Sequence, residues 1–425
     1  MEEGWEFFRV RQMFGGPALD NPSAQVTIEL ERLGIAARIG PGESVAITAG
    51  SRGIANFAQI LRATVDFVKN CGGVPFLVPA MGSHGGATAE GQLAVLARYG
   101  VTPESMGCPI RSSMDTVEVC QAREGFPIHF DRHAFAADHV IVVNRIKPHT
   151  GFTGEVQSGL CKMLLIGLGK HVGASIYHRA IKDNSFDQIL RGVADEVIAR
   201  CRILCGLAIV ENGYEQTALV EAVLPQEFLG RERALLERSQ QWLARLPFDE
   251  LDLLIVDEIG KDISGTGLDT NVVGRKSIDH GGPGERPWIK RIYVRGLSAA
   301  THGNASGIGV AEFTRSDVVA QVDWQATFEN CVTAGHPTAG MLPVHYATDR
   351  DVLQAVLRTI GLRTMKTVRA VWIRNTLDLE HVECSRGLFD HVLPDHVRPV
   401  SQLRPVRWDS GGNWPRWSDW LASAD

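Results

Sequence analysis

The chain has 425 residues, of which 44% are hydrophobic and 22% are charged, and its formal net charge is −6. This length allows two or three domains with sizeable cores, and the composition is typical of an ordinary globular protein. The acidic balance argues against nucleic acid or an anionic membrane surface as a partner.

The sequence also bears on the compartment. No apolar run approaches the length of a membrane-spanning helix, and the start, MEEGWEFFRV, has no apolar signal-peptide region. We therefore expect a cytoplasmic protein. Its eight cysteines include no CxxC pair, which disfavours zinc ribbons and thioredoxin-like redox sites.

Three apolar runs in the first half of the chain are predicted to be strands that each end in a polar turn. The first 40 residues give only a weak signal, for short strands and a β-hairpin. The run at 45–50 (VAITAG) precedes Ser51 and Arg52, and a helical pattern covers 54–70. The run at 74–80 (VPFLVPA) precedes a glycine-rich turn with His84, and a helix follows that turn. The run at 138–144 (DHVIVVN) is predicted to be a buried parallel strand.

The third strand leads into the segment that organises the chain, residues 144–178. Arg145, Lys147 and His149 follow the strand directly, and SGLCK (158–162) and GLGKHVGASIYH (167–178) come next. Small residues let backbone N–H groups approach an anionic ligand, and the two lysines, Lys162 and Lys170, would neutralise it. The alternation of strands and helices predicts a doubly wound α/β domain, and ligands bind at the carboxyl edge of such sheets.

The rest of the chain predicts a second α/β domain. A helix at 186–202, two strands and a charged amphipathic helix at 225–246 complete the first domain, which we assign to 1–246. The second domain covers 247–392, with mostly parallel strands, a polar loop that carries Asn271, and a glycine-rich turn that carries His302. The tail, 393–425, is too short for its own core and should pack back onto a domain.

Familiar cofactor motifs do not explain these turns. The sequence GSHGG at 82–86 does not fit GxGxxG, and no Walker A motif is present, so a simple dehydrogenase with diffusible NAD is disfavoured. A zinc enzyme that uses His149, His171 and His178 stays open, although HExxH is absent.

Two imidazoles at separate strand ends, His84 and His149, can each take or give a proton near neutral pH. A racemase needs one such group on each side of one carbon. Arg52 at the same sheet edge could bind a carboxylate in two-point fashion.

These residues carry a resemblance to a known family. MGSHGGAT, RIKPHTGF, SGLCK and the histidine that ends GASIYH, with LDTNVVG and THGNASG further on, resemble the nickel-dependent lactate racemase family of 2-hydroxy acid racemases and epimerases. The resemblance implies two α/β domains joined by helices, with the active site in the cleft between them. It also implies a nickel-pincer nucleotide as cofactor and a small 2-hydroxy acid as substrate.

The resemblance assigns roles to individual residues. His84 and His149 match the acid/base histidines, Arg52 the arginine on the substrate side, and His178 the histidine that ligates nickel. Lys162 matches the lysine at the pincer nucleotide. We further predict that the cofactor is contacted by Ser51, Ser158, Gly159, Asn271 and His302.

The chain departs from the family pattern where substrate and cofactor phosphate would be held. The first arginine turn reads AGSRG, without the usual acidic residue and histidine, and the loop from His149 to Lys162 is longer than in lactate racemase. Gly274 and Ser277 occupy the places of a glutamine and a lysine. These changes favour a 2-hydroxy acid other than lactate. A nucleotide- or metal-binding protein without racemase activity is the other alternative.

Overall fold

The computed structural model describes residues 4–51, 53–151, 154–181, 183–276 and 285–423, with the side chain of His178 also left out. The chain divides into two compact units. The central unit is Gly15–Leu243, and the terminal unit combines Met1–Phe14 with Ala244–Asp425. No described helix has the length and apolar character that crossing a membrane would require.

The strands are β1 (Glu6–Gln12), β2 (Ser44–Ala49), β3 (Val74–Pro79), β4 (Thr116–Gln121), β5 (Pro127–Asp131), β6 (His139–Arg145), β7 (Ile203–Glu211), β8 (Thr217–Val223), β9 (Glu250–Val256), β10 (Trp288–Val294), β11 (Phe313–Arg315), β12 (Val344–Tyr346), β13 (Ala370–Ile373), β14 (His381–Ser385), β15 (Val397–Pro399) and β16 (Arg404–Pro405). The helices are α1 (Pro22–Arg32), α2 (Phe57–Asn70), α3 (Ala89–Arg98), α4 (Pro103–Met106), α5 (Arg132–Ala136), α6 (Leu160–Lys162), α7 (Lys170–Ala180), α8 (Phe186–Arg200), α9 (Phe228–Trp242), α10 (Thr270–Val273), α11 (Ser316–Gln321), α12 (Trp324–Thr333), α13 (Asp349–Leu357) and α14 (Trp417–Ala422). A π-helical turn, Met163–Gly167, joins α6 to α7.

The central unit is built on a sheet with the strand order β3-β2-β6-β7-β8, parallel except for β8. Both faces of this sheet are buried. In β6, Val140 and Val142 pack into one core cluster, whereas Ile141 and Val143 pack into the other. Burial on both faces explains why the strand is a continuous apolar run without alternation. The strands β4 and β5 form a separate antiparallel pair.

The terminal unit has a mixed sheet with the order β12-β11-β10-β9-β13-β14-β1-β15, and β16 also pairs with β1. The strands from β12 to β13 are parallel, and those from β14 onward are antiparallel. The α/β class with mostly parallel sheets, predicted from the sequence, is confirmed.

The N-terminal residues differ from the prediction. The expected β-hairpin in the first 40 residues is wrong, because α1 lies there; it begins with Pro22 after Asn21, whose side chain accepts a hydrogen bond from the Ala24 amide. The strand β1 pairs with β14, so residues 1–14 fall in the terminal unit and outside the unit that the sequence analysis gave them to.

The tail packs onto the sheet of the terminal unit. Trp414, Trp417 and Trp420 are buried in one cluster with Trp5 and Trp372. These rings meet edge-on or tilted at centroid distances of 5.3–5.7 Å. Such aromatic pairs add to the stabilisation from apolar burial, so the tail is an integral part of this unit.

Candidate active site

Three turns of the central unit follow the carboxyl ends of the adjacent parallel strands β3, β2 and β6. These turns meet the segment that contains α6 and the π-helical turn. A Cβ placed on Gly50 would lie 3.4 Å from Met163 Cε, and one on Gly82 would lie 3.1 Å from Ile166 Cγ2. The Asn144 side chain donates to the Gly159 carbonyl at 2.8 Å. Residues far apart in sequence thus lie together at one edge of the sheet.

His84 is an exposed residue in the turn after β3. Its ring Nδ1 contacts the Ser51 hydroxyl, which lies just past the end of β2. The Tyr99 hydroxyl in turn donates to the Ser51 carbonyl at 3.2 Å. Two predicted site residues from different strand ends, His84 and Ser51, are therefore in direct contact. Arg52, the next residue, lies outside the described residues.

His149 is half-buried in the turn after β6. Its backbone amide donates to Gln157 Oε1 at 3.0 Å, and its ring Nδ1 accepts from the Gly151 amide at 3.0 Å. A neutral imidazole whose Nδ1 accepts a hydrogen bond carries its proton on Nε2. As arranged, the ring of His149 therefore presents an N–H donor at Nε2.

Ser158 has a structural task in this loop. Its hydroxyl accepts from the Lys147 amide at 2.8 Å and donates to the Lys147 carbonyl at 2.6 Å. The side chain thus closes the loop between positions 147 and 158 and uses its donor on the protein's own backbone. Its predicted contact with the cofactor stays a prediction.

The turn at Gly159 is filled by a buried carboxyl that the sequence analysis missed. Glu232 of α9 is 1% exposed, and its Oε1 accepts from the amides of Leu160 and Cys161, the latter at 3.1 Å. Gly159 has φ 102°, and a Cβ there would press against Glu232 and Ile146. The amides that were expected to approach an anionic ligand are therefore already occupied, and Gly159 makes room for Glu232.

Burial changes the acidity of two groups below this turn. It raises the pKa of Glu232 to about 8, although the bonds from Cys161 and Leu160 oppose that change. Burial, together with the neighbouring Glu232, also raises the pKa of the Cys161 thiol well above its ordinary value. A buried thiol of this kind packs as a small apolar group and is not a nucleophile.

Lys162 ends α6 and is half-buried. Its Nζ lies 6.0 Å from the centroid of the Phe186 ring, the outer range of a cation–π contact. The backbone of His178 lies on α7, one element further along, and its side chain is outside the described part of the chain.

Two of the basic residues expected at this edge are paired with carboxylates. Arg145 forms an ion pair with Glu211 and donates to the Gly53 carbonyl at 3.1 Å, while Glu211 accepts from the Ala55 amide at 2.7 Å. This pair braces the turn that follows Arg52. Lys170 is fully buried and pairs with Asp131 at 3.0 Å. The expectation that Lys170 neutralises a ligand is therefore wrong, because Asp131 neutralises it instead.

The remaining predicted residues belong to the terminal unit. Asn271 begins the short helix α10 region, and both its amide and its side chain donate to Asp269 Oδ1, at 2.9 and 2.8 Å. His302 is exposed and has φ 50°, at the end of a single 3₁₀ turn. Neither the place of Ser277 nor the rest of 277–284 falls within the described residues. Burial lowers the pKa of the nearby Lys276 to about 8.

No three His, Cys, Asp or Glu side chains form a group that could hold a metal ion, among the side chains that the structure describes. His171, one member of the zinc alternative, is exposed in the first turn of α7, and His149 bonds to its own loop. The third member is His178, so the zinc set is described only in part.

Comparisons with known proteins bear on the fold. No protein-family model matches the chain, and no curated protein matches it. Among solved structures, a Thermotoga maritima protein aligns with a TM-score of 0.53 and 14% identity, over 86% of this chain and 99% of that one. The lactate racemase apoprotein from Thermoanaerobacterium thermosaccharolyticum aligns with a TM-score of 0.51 and 13% identity, over 87% of this chain and 94% of that one. The chain thus shares its fold, over most of its length, with a lactate racemase.

Proposed function

We propose that this protein is a 2-hydroxy acid racemase or epimerase that uses a nickel-pincer nucleotide, with His84 and His149 as alternating acid and base. The main support is the meeting of three strand-end turns at one edge of the central sheet. The carboxyl edge of a parallel sheet is where ligands bind in this class of fold. The shared fold with a lactate racemase adds support of a general kind.

The cofactor implied by the sequence resemblance fits the chemistry of the available donors. Lys162, half-buried at the end of α6, would hold the nucleotide, and His178 on α7 would supply an imidazole nitrogen to nickel. The turn at Gly159 does not fit a cofactor phosphate, because Glu232 occupies its amides. When bound, the group supplies an electron-poor ring that can accept and return the substrate's α-hydrogen as hydride.

The protein's own residues would handle the carboxylate and the hydroxyl proton. Arg52 would bind the substrate carboxylate in two-point fashion and so fix the orientation of the α-carbon. If Nδ1 of His84 donates to Ser51, its Nε2 holds the lone pair that accepts the hydroxyl proton. His149, with its proton on Nε2, is set to donate a proton to the opposite face.

Roles exchange in the reverse direction. Loss of the hydroxyl proton and of the α-hydrogen leaves a planar 2-keto acid, which can regain hydrogen on either face. For His149 to act as the base, its ring must release the Gly151 amide or pass its proton to the substrate and take one back at the same Nε2. The histidine that gave its proton in one turnover is then the base in the next.

Racemisation assays on cofactor-loaded protein test the proposal. A panel of single-enantiomer 2-hydroxy acids, followed by chiral chromatography, should show interconversion of at least one acid. His84→Ala and His149→Ala should each lower kcat by about 10²- to 10⁴-fold, the usual contribution of a general acid or base, and retain nickel.

Metal analysis supplies the control arm. His178→Ala should lose nickel, whereas His171→Ala, an exposed histidine on the same helix, should keep both nickel and activity. Tightly held zinc that is lost in His171→Ala would favour the zinc enzyme instead. Full activity in His84→Ala would contradict the assigned role of that residue.

A further inference from the structure

A buried polar cluster lies directly behind the His84 turn, and none of its members has a role in the proposed chemistry. Lys170, Asp131 and Gln92 are each 0% exposed. Lys170 Nζ pairs with Asp131 Oδ2 at 3.0 Å, donates to the Pro79 carbonyl, and lies 3.5 Å from Gln92 Oε1. Asp131 Oδ1 also accepts from the Ala134 amide at 2.8 Å.

Gln92 connects this cluster to the His84 turn. Its side-chain Nε2 donates to the Gly82 carbonyl at 2.9 Å and to the His84 carbonyl at 3.3 Å. The amide group therefore bonds to both sides of the turn, and its oxygen faces the Lys170 ammonium. The carbonyl of the candidate base itself is one of the two acceptors.

The backbone around the cluster is tightly constrained. Lys170 has φ 54°, a conformation that costs a residue other than glycine about 1–3 kcal/mol. A Cβ on Gly85 would meet the Gln92 amide nitrogen at 2.6 Å, so the start of α3 lies directly against the turn. Lys170 also begins α7, the helix that carries His178. Strain and burial of this kind persist only where the surroundings fix the conformation.

We propose that Gln92 is a positioning residue for His84, held in place by the Lys170–Asp131 ion pair, so that the His84 turn and the start of α7 keep one fixed arrangement. The role in catalysis rests on the proposed function; the positioning of the ring does not. A fully buried ion pair is a weak source of stability, because the desolvation of two charges offsets their attraction. Its value here lies in fixing where three elements meet: the end of β3, the end of β5 and the start of α7.

The variant Gln92→Leu removes both donors to the turn and keeps an apolar side chain of similar size. Gln12→Leu is the matched control, since Gln12 is also 0% exposed and donates to two backbone carbonyls, of Leu379 at 2.7 Å and of Arg245 at 3.1 Å. Gln12 belongs to the terminal unit, on β1. Both variants lose the same kind of contact, and only one of them touches the His84 turn.

The first measurement needs no cofactor and no substrate. Nitrogen-15 NMR of the histidine rings, with His84 assigned by its absence in His84→Ala, reports the tautomer and the hydrogen bond of its Nδ1. In Gln92→Leu the His84 signals should move towards those of a solvent-exposed ring, and in Gln12→Leu they should not change. Unchanged His84 signals in Gln92→Leu would overturn the proposal.

The second measurement is the kinetics of the cofactor-loaded protein. Gln92→Leu should lower kcat about 10- to 100-fold with little change in KM, because a shift of about 1 Å in a reacting group costs on that order. Gln12→Leu should keep the wild-type kcat. If the wild-type protein does not racemise any acid but Gln92→Leu still alters the His84 signals, the positioning role stands and the proposed function fails.

The ion pair has its own test. Lys170→Met alone would leave Asp131 as an uncompensated buried charge, so it is paired with Asp131→Asn, which keeps the acceptor for Ala134. The folded double variant should show the same change in the His84 signals as Gln92→Leu. A double variant with wild-type His84 signals would show that Gln92 needs no anchor and would overturn that part of the proposal.

Discussion

Glu232 offers a sharp test of the interior beneath the Lys162 turn. Its carboxyl is buried, and only its Oε1 has hydrogen-bond donors among the described residues, the amides of Leu160 and Cys161. Glu232→Gln keeps an oxygen acceptor for these amides and removes the titrating proton. We therefore expect the variant to fold with the same turn and to lose one pH-dependent contribution to stability.

The sign and size of that contribution follow from the pKa. Burial raises the pKa of Glu232 from 4.5 to about 8, so the folded protein holds a proton that the unfolded chain has already released in this range. A raised pKa gives stability that is fully present below pH 4.5 and is lost as the pH rises through 8. At about 1.4 kcal/mol per pH unit, the free energy of unfolding should fall by about 5 kcal/mol relative to Glu232→Gln.

The measurement must report on the central unit alone, because two units need not unfold together. Trp242 is the only tryptophan between positions 15 and 243, so 5-fluorotryptophan labelling gives this unit one fluorine-19 signal, assigned with Trp242→Phe. Urea titrations of that signal from pH 4 to 9 give the free energy of unfolding of wild type and variant. Glu237→Gln, an exposed change on the same helix α9, is the control and should track wild type.

A difference between wild type and Glu232→Gln that stays constant from pH 5 to 8 would refute the reasoning. It would mean that the buried carboxyl has an ordinary pKa and that water or a cation reaches it. A difference that grows with the opposite sign would mean that Glu232 is held as an anion by the two amides. Either outcome would remove the argument that the Gly159 turn is closed to a cofactor phosphate.

Two further changes test the packing of each unit. Gly159→Ala adds a Cβ against Ile146 Cγ1 at 2.9 Å and against Glu232, at a φ of 102°, so it should lower the stability of the central unit by about 3 kcal/mol in the fluorine assay; a loss below about 1 kcal/mol would contradict the crowding. Arg295→Met leaves Asp349, which is 0% exposed and 3.0 Å from the guanidinium, without its cation, so tryptophan fluorescence of the terminal unit in urea should show a loss of about 3–5 kcal/mol, and a neutral result would show that water solvates the carboxylate.

The sequence predicted the central sheet because its strands are unusually clear. The run that became β6 is apolar throughout, as a strand buried on both faces must be, and the polar turn after it begins within a residue of the predicted end. The helices α2, α8 and α9 carried readable periodicity, and their ends fell within a few residues of the prediction. Local patterns were sufficient for these elements.

The misses depend on contacts between distant positions. Nothing near β1 shows that it pairs with β14, more than 360 residues away, so residues 1–14 were assigned to the wrong unit. For α1, the start signal of Asn21 followed by Pro22 was present and was overlooked. In the site, Lys170 and Glu232 look like ordinary residues in sequence, because Asp131 and the Leu160 amide that bind them are 39 and 72 positions away.

The central claim is that one site removes and returns the α-hydrogen of a 2-hydroxy acid while two histidines move only the hydroxyl proton. The most direct measurement uses a single enantiomer deuterated at the α-carbon, incubated in ordinary water with cofactor-loaded protein, with both product enantiomers analysed by mass. Hydride return predicts that both enantiomers keep the deuterium. Loss of deuterium to solvent as racemisation proceeds would contradict the account, since the histidines would then be abstracting a proton from carbon.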